Sequence, residues 1–152
     1  MTTGSMVGLG RVYDVVYTAA ANPFSVRNCS AVSLICKASG AATLTLQAQK
    51  TFSGTPANWT TANGFGQTAY WYENQVNTGA GAWAKKTASW ASNVLTISGT
   101  TGYVSVVPIF TTQFADGYDY LLVETATNCV VTAVLHDLTV QRTPANLAIL
   151  GA

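Results

Sequence analysis

Charge is what this sequence has least of. Asp, Glu, Lys and Arg make up 9% of its 152 residues, where an average soluble domain carries about 25%. Mixed charge normally keeps a surface soluble, so this surface is covered by neutral polar side chains or by partners. The basic residues, Arg11, Arg27, Lys37, Lys50, Lys85, Lys86 and Arg142, are scattered, and the net charge is +1. No stripe among them can neutralise a run of phosphates, so nucleic-acid binding is not expected. The single basic pair, Lys85-Lys86, divides between opposite faces of a strand.

Histidine is almost absent too. His136 stands alone, followed by Asp137. Adjacent residues of a strand face opposite sides, so Asp137 is badly placed to orient the ring for a Ser-His-Asp triad. Cys29, Cys36 and Cys129 show no CxxC spacing, and with one histidine they make a poor zinc set. Neither a phosphate-binding GxxxxGK[ST] loop nor a strand–GxGxxG–helix unit occurs. A glycosidase pair drawn from Asp14, Glu73, Asp116, Asp119, Glu124 and Asp137 would need a separation that spacing cannot supply. No catalytic, cofactor or metal site is therefore assigned.

Long apolar runs are missing as well. No window approaches the roughly 18 apolar residues of a membrane span, and the start lacks a basic segment leading into an apolar one. The chain is expected to be made in a reducing compartment with its thiols unpaired. A Cys29–Cys129 or Cys36–Cys129 bridge remains open.

What is present is strand and turn. Short β-branched and aromatic runs are separated by Gly, Asn, Ser and Pro. Strands are expected near residues 11–18, 31–37, 42–50, 68–75, 83–89, 93–98, 103–109, 120–124 and 129–141. Leu44, Leu46 and Ala48 alternate with Thr43, Thr45, Gln47 and Gln49, giving one apolar and one neutral-polar face. The run with Val104, Val106 and Val107 reads as more deeply buried. About nine short strands at this spacing imply a single all-β domain, an antiparallel β-sandwich of jelly-roll-like build. Residues 52–67 read as one long loop. The domain is placed at 11–142, with extended arms at 1–10 and 143–152. In the second arm Leu147, Ile149 and Leu150 are candidate anchors, either on this domain or on a partner.

Aromatic side chains crowd the middle third: Trp59, Tyr70, Trp71, Tyr72, Trp83 and Trp90. Exposed, they would form a stacking platform for sugars; covered, they belong to a core or a subunit interface. Tyr70 and Tyr72 should share one face, with Trp71 on the other. Trp59 and Trp83 are the candidate partner-binding rings.

Read from residue 42 onward, one pattern emerges. AATLTLQAQKTFSG leads to YWYENQVNTGAGAW, then YVSVVPIFTTQFADGYDYLLVE and a last strand NCVVTAVLHDLTVQR with the tail TPANL. This resembles the small β-sandwich head decoration, or cement, proteins of tailed bacteriophages, Asp116-Gly117-Tyr118-Asp119-Tyr120-Leu121 being its most diagnostic piece. The resemblance covers about two-thirds of the chain as a pattern of strands and turns. It implies a non-enzymatic virion protein, made in the host cytoplasm and bound to the capsid exterior. Its partners would be the major capsid protein and copies of itself, a trimer before other orders, with no nucleic acid, membrane or cofactor. The alternative is a carbohydrate-binding module of a phage tail or adhesin.

Overall fold

In the computed structural model, residues 11–13, 22–27, 29–75, 81–97 and 100–136 are described. Within them the strands are β1 (Arg11–Tyr13), β2 (Phe24–Ser25), β3 (Ala31–Gln49), β4 (Ala57–Asn58), β5 (Tyr70–Asn74), β6 (Trp83–Thr87), β7 (Ser89–Ala91), β8 (Val94–Thr96), β9 (Val104–Phe110) and β10 (Tyr120–His136). Every strand pairing is antiparallel. The described residues contain no α-helix, only 3-10 turns at Thr61–Asn63 and Thr111–Gln113. The chain is all-β and sandwich-like, as expected. Both proposed arms, with Leu147, Ile149 and Leu150, lie outside the described residues.

Two long strands organise everything else. β3 runs for 19 residues and β10 for 17, paired from Ala31↔His136 to Gln49↔Tyr120. Each was expected as two short strands, broken near residues 38–41 and 125–128. The apparent breaks form a corner in one continuous ribbon. The register slips between Val123 and Thr125 and again between Thr127 and Cys129, where residues 39–42 of β3 face Asn128 alone. Such bulges bend a pair of strands without ending the pairing. Asn128 takes a left-handed φ of 53°; its Nδ2 donates to Ala41 O (2.9 Å), while Ser39 Oγ donates back to Asn128 O (3.0 Å).

The corner divides the sheet into two leaves. On the first, β3 and the end of β10 lie between β1 on one side and β9, β5 and β6 on the other. On the second, β3 meets β8 and β4, β8 pairs with β7, and the start of β10 takes β2. The inner faces share one core: Val32, Leu34 and Val107 from the first leaf cluster with Leu44, Leu46 and Leu95 from the second. Each is fully buried, and burying such a side chain stabilises by about 1.5–3 kcal/mol.

The stretch expected as a long loop is a folded plug. It contains β4 and the Thr61–Asn63 turn, capped by Thr60 Oγ1 and closed by Gly64 at φ 84°. Trp59, 1% exposed, stacks on Phe65 at 4.8 Å and meets Phe114 edge-on at 4.7 Å. Its indole N–H donates to Gly66 O. The plug is polar in composition because its own amides and hydroxyls tie the backbone, while Trp59 and Phe65 are its fully buried anchors.

Candidate functional site: the outer face of the first leaf

Side chains alternate across a strand, so each leaf has an inner and an outer face. On the second leaf the outer positions of β3 are Thr43, Thr45 and Gln47, with Thr96 of β8 opposite Thr43. Gln47 Nε2 donates to Asn58 Oδ1 at 2.9 Å. That neutral-polar face is the one read in the sequence, and it suits water.

The first leaf is built otherwise. One row across its outer face runs Trp83, Asn74, Val104, Lys37, Val130, each directly opposite the next. The adjacent row is Lys85, Tyr72, Val106, Ile35, Thr132. Beyond these, Pro108 faces Ser33 and Ser33 faces Val134, while Phe110, Ala31 and His136 complete the far end. Val107 and Ile109 point into the core, whereas Val104, Val106 and Pro108 are only half-buried. The β9 run was expected to be deeply buried; its inner members are, and its outer members form this face.

Four large apolar side chains are exposed among the described residues: Tyr72 (38%), Trp83 (53%), Phe110 (42%) and Val130 (58%). All four lie on this one face. Its charges are Lys37 and Lys85, the latter placing Nζ over the Tyr70 ring at 4.1 Å. Tyr70 meets Tyr72 edge-on at 5.6 Å.

The remaining candidates are distributed as follows. Trp59, 1% exposed between Phe65 and Phe114, presents no ring face to a ligand. Trp71 points inward and is 5% exposed; Trp90 donates its indole N–H to Thr68 O. Of the candidate rings, the surface therefore holds Trp83 with Tyr72 and Tyr70. His136 Nε2 lies 2.9 Å from Ser33 Oγ, and no carboxylate among the described residues forms an ion pair with the ring. Glu73, buried, is held by Lys86 (3.4 Å) and Gln75 (3.1 Å). Asp119 binds Arg27 at 2.8 Å, and that contact raises the guanidinium's pKa. Ser105 Oγ and Trp71 Nε1 are buried without a hydrogen-bond partner. The described residues contain no group of three or more His, Cys, Asp or Glu placed to hold a metal.

All three cysteines are free. Cys36 lies opposite Val131 and Cys129 opposite Ala38, so the two thiols are diagonal neighbours on adjacent strands. Burial, and secondarily Cys129, holds the Cys36 thiol well above its usual pKa; burial raises Cys129 to about 11.

A shallow hollow of about 480 Å³ lies at the plug, between Asn58, Thr60, Thr61, Asn63, Gln67 and Ser92. Much of its hydrogen-bonding capacity is spent internally: Gln67 Nε2 donates to Trp59 O and Ser92 O, and Asn63 Nδ2 to Asn58 O. A second hollow, about 430 Å³, adjoins the Arg27–Asp119 pair.

No protein-family model, curated protein or solved structure matches the chain.

Proposed function

We propose that this chain is a structural assembly subunit, acting through protein–protein contact and not through catalysis. One observation carries the reading: every large exposed apolar side chain described lies on the outer face of the first leaf, while the second leaf shows Thr and Gln. A face that gathers exposed apolar side chains within a polar and basic frame is the kind that marks an interaction site. The low charge fits the same reading, since charged residues are depleted at interface cores. The setting comes from the resemblance in the sequence: a capsid decoration subunit on the exterior of a tailed-phage head, bound to the major capsid protein. Decoration of this type stabilises a shell by mass action, because the subunit binds only the assembled form. The test is co-sedimentation of the full chain with undecorated shells of the virus that encodes it. Saturable binding that raises the shell's disruption temperature is expected; no binding to shells would overturn the reading.

A second reading draws on Trp83 and Tyr72, whose exposed rings share one face. Such a pair is a stacking surface for sugars. Added polysaccharide would then shift Trp83 fluorescence and protect it from acrylamide; an unchanged spectrum across a glycan panel would remove this alternative.

A further inference from the structure

The outer face of the first leaf has the shape and chemistry to pack against itself. We infer that a second copy of this chain covers it, related by a two-fold axis, so that the outer faces of β3, β5, β9 and β10 stack sheet on sheet. The inference deepens the assembly reading by naming the first partner, and it departs from the trimer that the resemblance suggests.

Three observations converge on that occupant. The first is the sequence of β9. Its outer face carries Val104, Val106 and Pro108 and its inner face Val107 and Ile109, with Ser105 the one polar residue among them; apolar side chains on both faces mark a strand covered on both sides, yet the described chain buries only the inner side.

The second is extent. Seven residues of β9 span roughly 23 Å, and the five strands from β6 to β10 span roughly 19 Å. Two such faces in contact remove on the order of 1,000 Å² of accessible surface, which is where stable pairings begin. The β-branched outer residues Val104, Val106, Ile35 and Val134 resemble those that the two leaves already interdigitate in their own core, and sheets pack face to face in this way.

The third is the count of patches. A ring such as a trimer joins two different surfaces, and each must suit the other. Here Tyr72, Trp83, Phe110 and Val130 all lie on one face, so the described surface offers a single apolar patch. A single patch is satisfied by meeting its own copy. Lys37, the charge within the Trp83–Val130 row, can keep its ammonium at the rim or over the mate's Trp83 ring while its stem lies on apolar surface.

Light scattering on size-separated full chain, with V130D and F110D, tests this. Both positions are exposed, so the variants should keep the native circular dichroism and a cooperative melt. The expected result is a dimer for the parent chain and for a control, T96D on the second leaf, with V130D and F110D monomeric at the same concentration. A monomeric or trimeric parent chain overturns the proposal, as does a dimer that survives both substitutions. A measurement without substitution guards against a variant that fails to fold. Trp83 is the exposed tryptophan, so diluting the parent chain through its dissociation should increase acrylamide quenching several-fold; quenching that does not change with dilution overturns the proposal. A monomer that still binds shells would leave the assembly reading standing and make the lattice the occupant of this face.

Discussion

The side-chain amide of Asn128 donates to the carbonyl of Ala41 at 2.9 Å, from a residue whose own φ is 53°. This bond spans the corner where β3 carries extra residues against β10. Asparagine tolerates left-handed backbone better than other side chains, and here its short amide also satisfies a carbonyl that the ladder leaves over. One residue thus sets both the bend and its hydrogen bonding.

Asn128→Ala removes the bond and places a less tolerant residue at positive φ. The two terms, each about 1 kcal/mol, should together lower stability by about 2 kcal/mol. Asn128→Gly keeps the conformation and should cost about half as much. Urea midpoints of the two variants decide; a glycine variant as damaged as the alanine one would mean that the conformation contributes nothing.

Trp59 and Trp83 should separate stability from association. Trp59→Ala empties a fully buried site, stacked on Phe65 and met edge-on by Phe114, and should cost about 3–5 kcal/mol. Trp83→Ala, at an exposed strand end, should move monomer stability by less than about 0.5 kcal/mol. Its effect should appear in sedimentation equilibrium, as weaker self-association. Equal losses of stability in the two variants would contradict this division.

The two ion pairs among the described residues should differ in the same way. Lys86→Met leaves Glu73, whose side chain is 6% exposed, without its cation. Removing one member of a fully buried pair costs about 3–5 kcal/mol; because the Lys86 side chain is 39% exposed, about 1–2 kcal/mol is expected after screening. Arg27→Ala breaks a solvent-exposed pair and should leave the thermal midpoint unchanged. A larger loss from Arg27→Ala than from Lys86→Met would show the reverse ranking.

Alkaline pH should destabilise the fold through its thiols. Burial raises Cys36 well above its usual 9.0 and Cys129 to about 11. As pH rises, thiols of the unfolded chain ionise first, so the unfolded state gains. The contribution is complete below about 9 and is lost as pH climbs toward about 11. Urea midpoints should fall over this interval, and more shallowly for Cys129→Ala. Parallel curves for the two proteins would refute the assignment to Cys129.

The sequence made some of these features visible and hid others for physical reasons. The alternation of Leu44, Leu46 and Ala48 with Thr and Gln reports a half-buried strand directly, and the structure places those faces accordingly. The opposite facing of Trp71 from Tyr70 and Tyr72 was equally legible. The corner was not. Ser39-Gly40-Ala41 and Asn128 have the composition of turns, and only pairing between strands distant in sequence reveals that they bend a ribbon instead of reversing it. Trp59 was hidden because its burial depends on Phe65 and Phe114, which no local period connects to it. The outer face was half visible: the β9 run reads as deeply buried, and its inner residues Val107 and Ile109 are, while Val104, Val106 and Pro108 lie half-buried on the outer side.

The β3–β10 ribbon also governs when the molecule can come into being. Its strands lie far apart along the chain, with Ser33 and His136, joined by a hydrogen bond, separated by 103 positions. Distant pairings of this kind make folding slow, because the chain must close large loops before any contact rewards it. During synthesis, which proceeds from the N-terminus, β3 can meet β4, β8 and β9 first and waits for β10 until residues 120–136 have emerged. The outer face of the first leaf needs β10 as well, so it exists only once the ribbon has closed. A chain that stops short of β10 has no such surface to offer, so the face and the fold arise together.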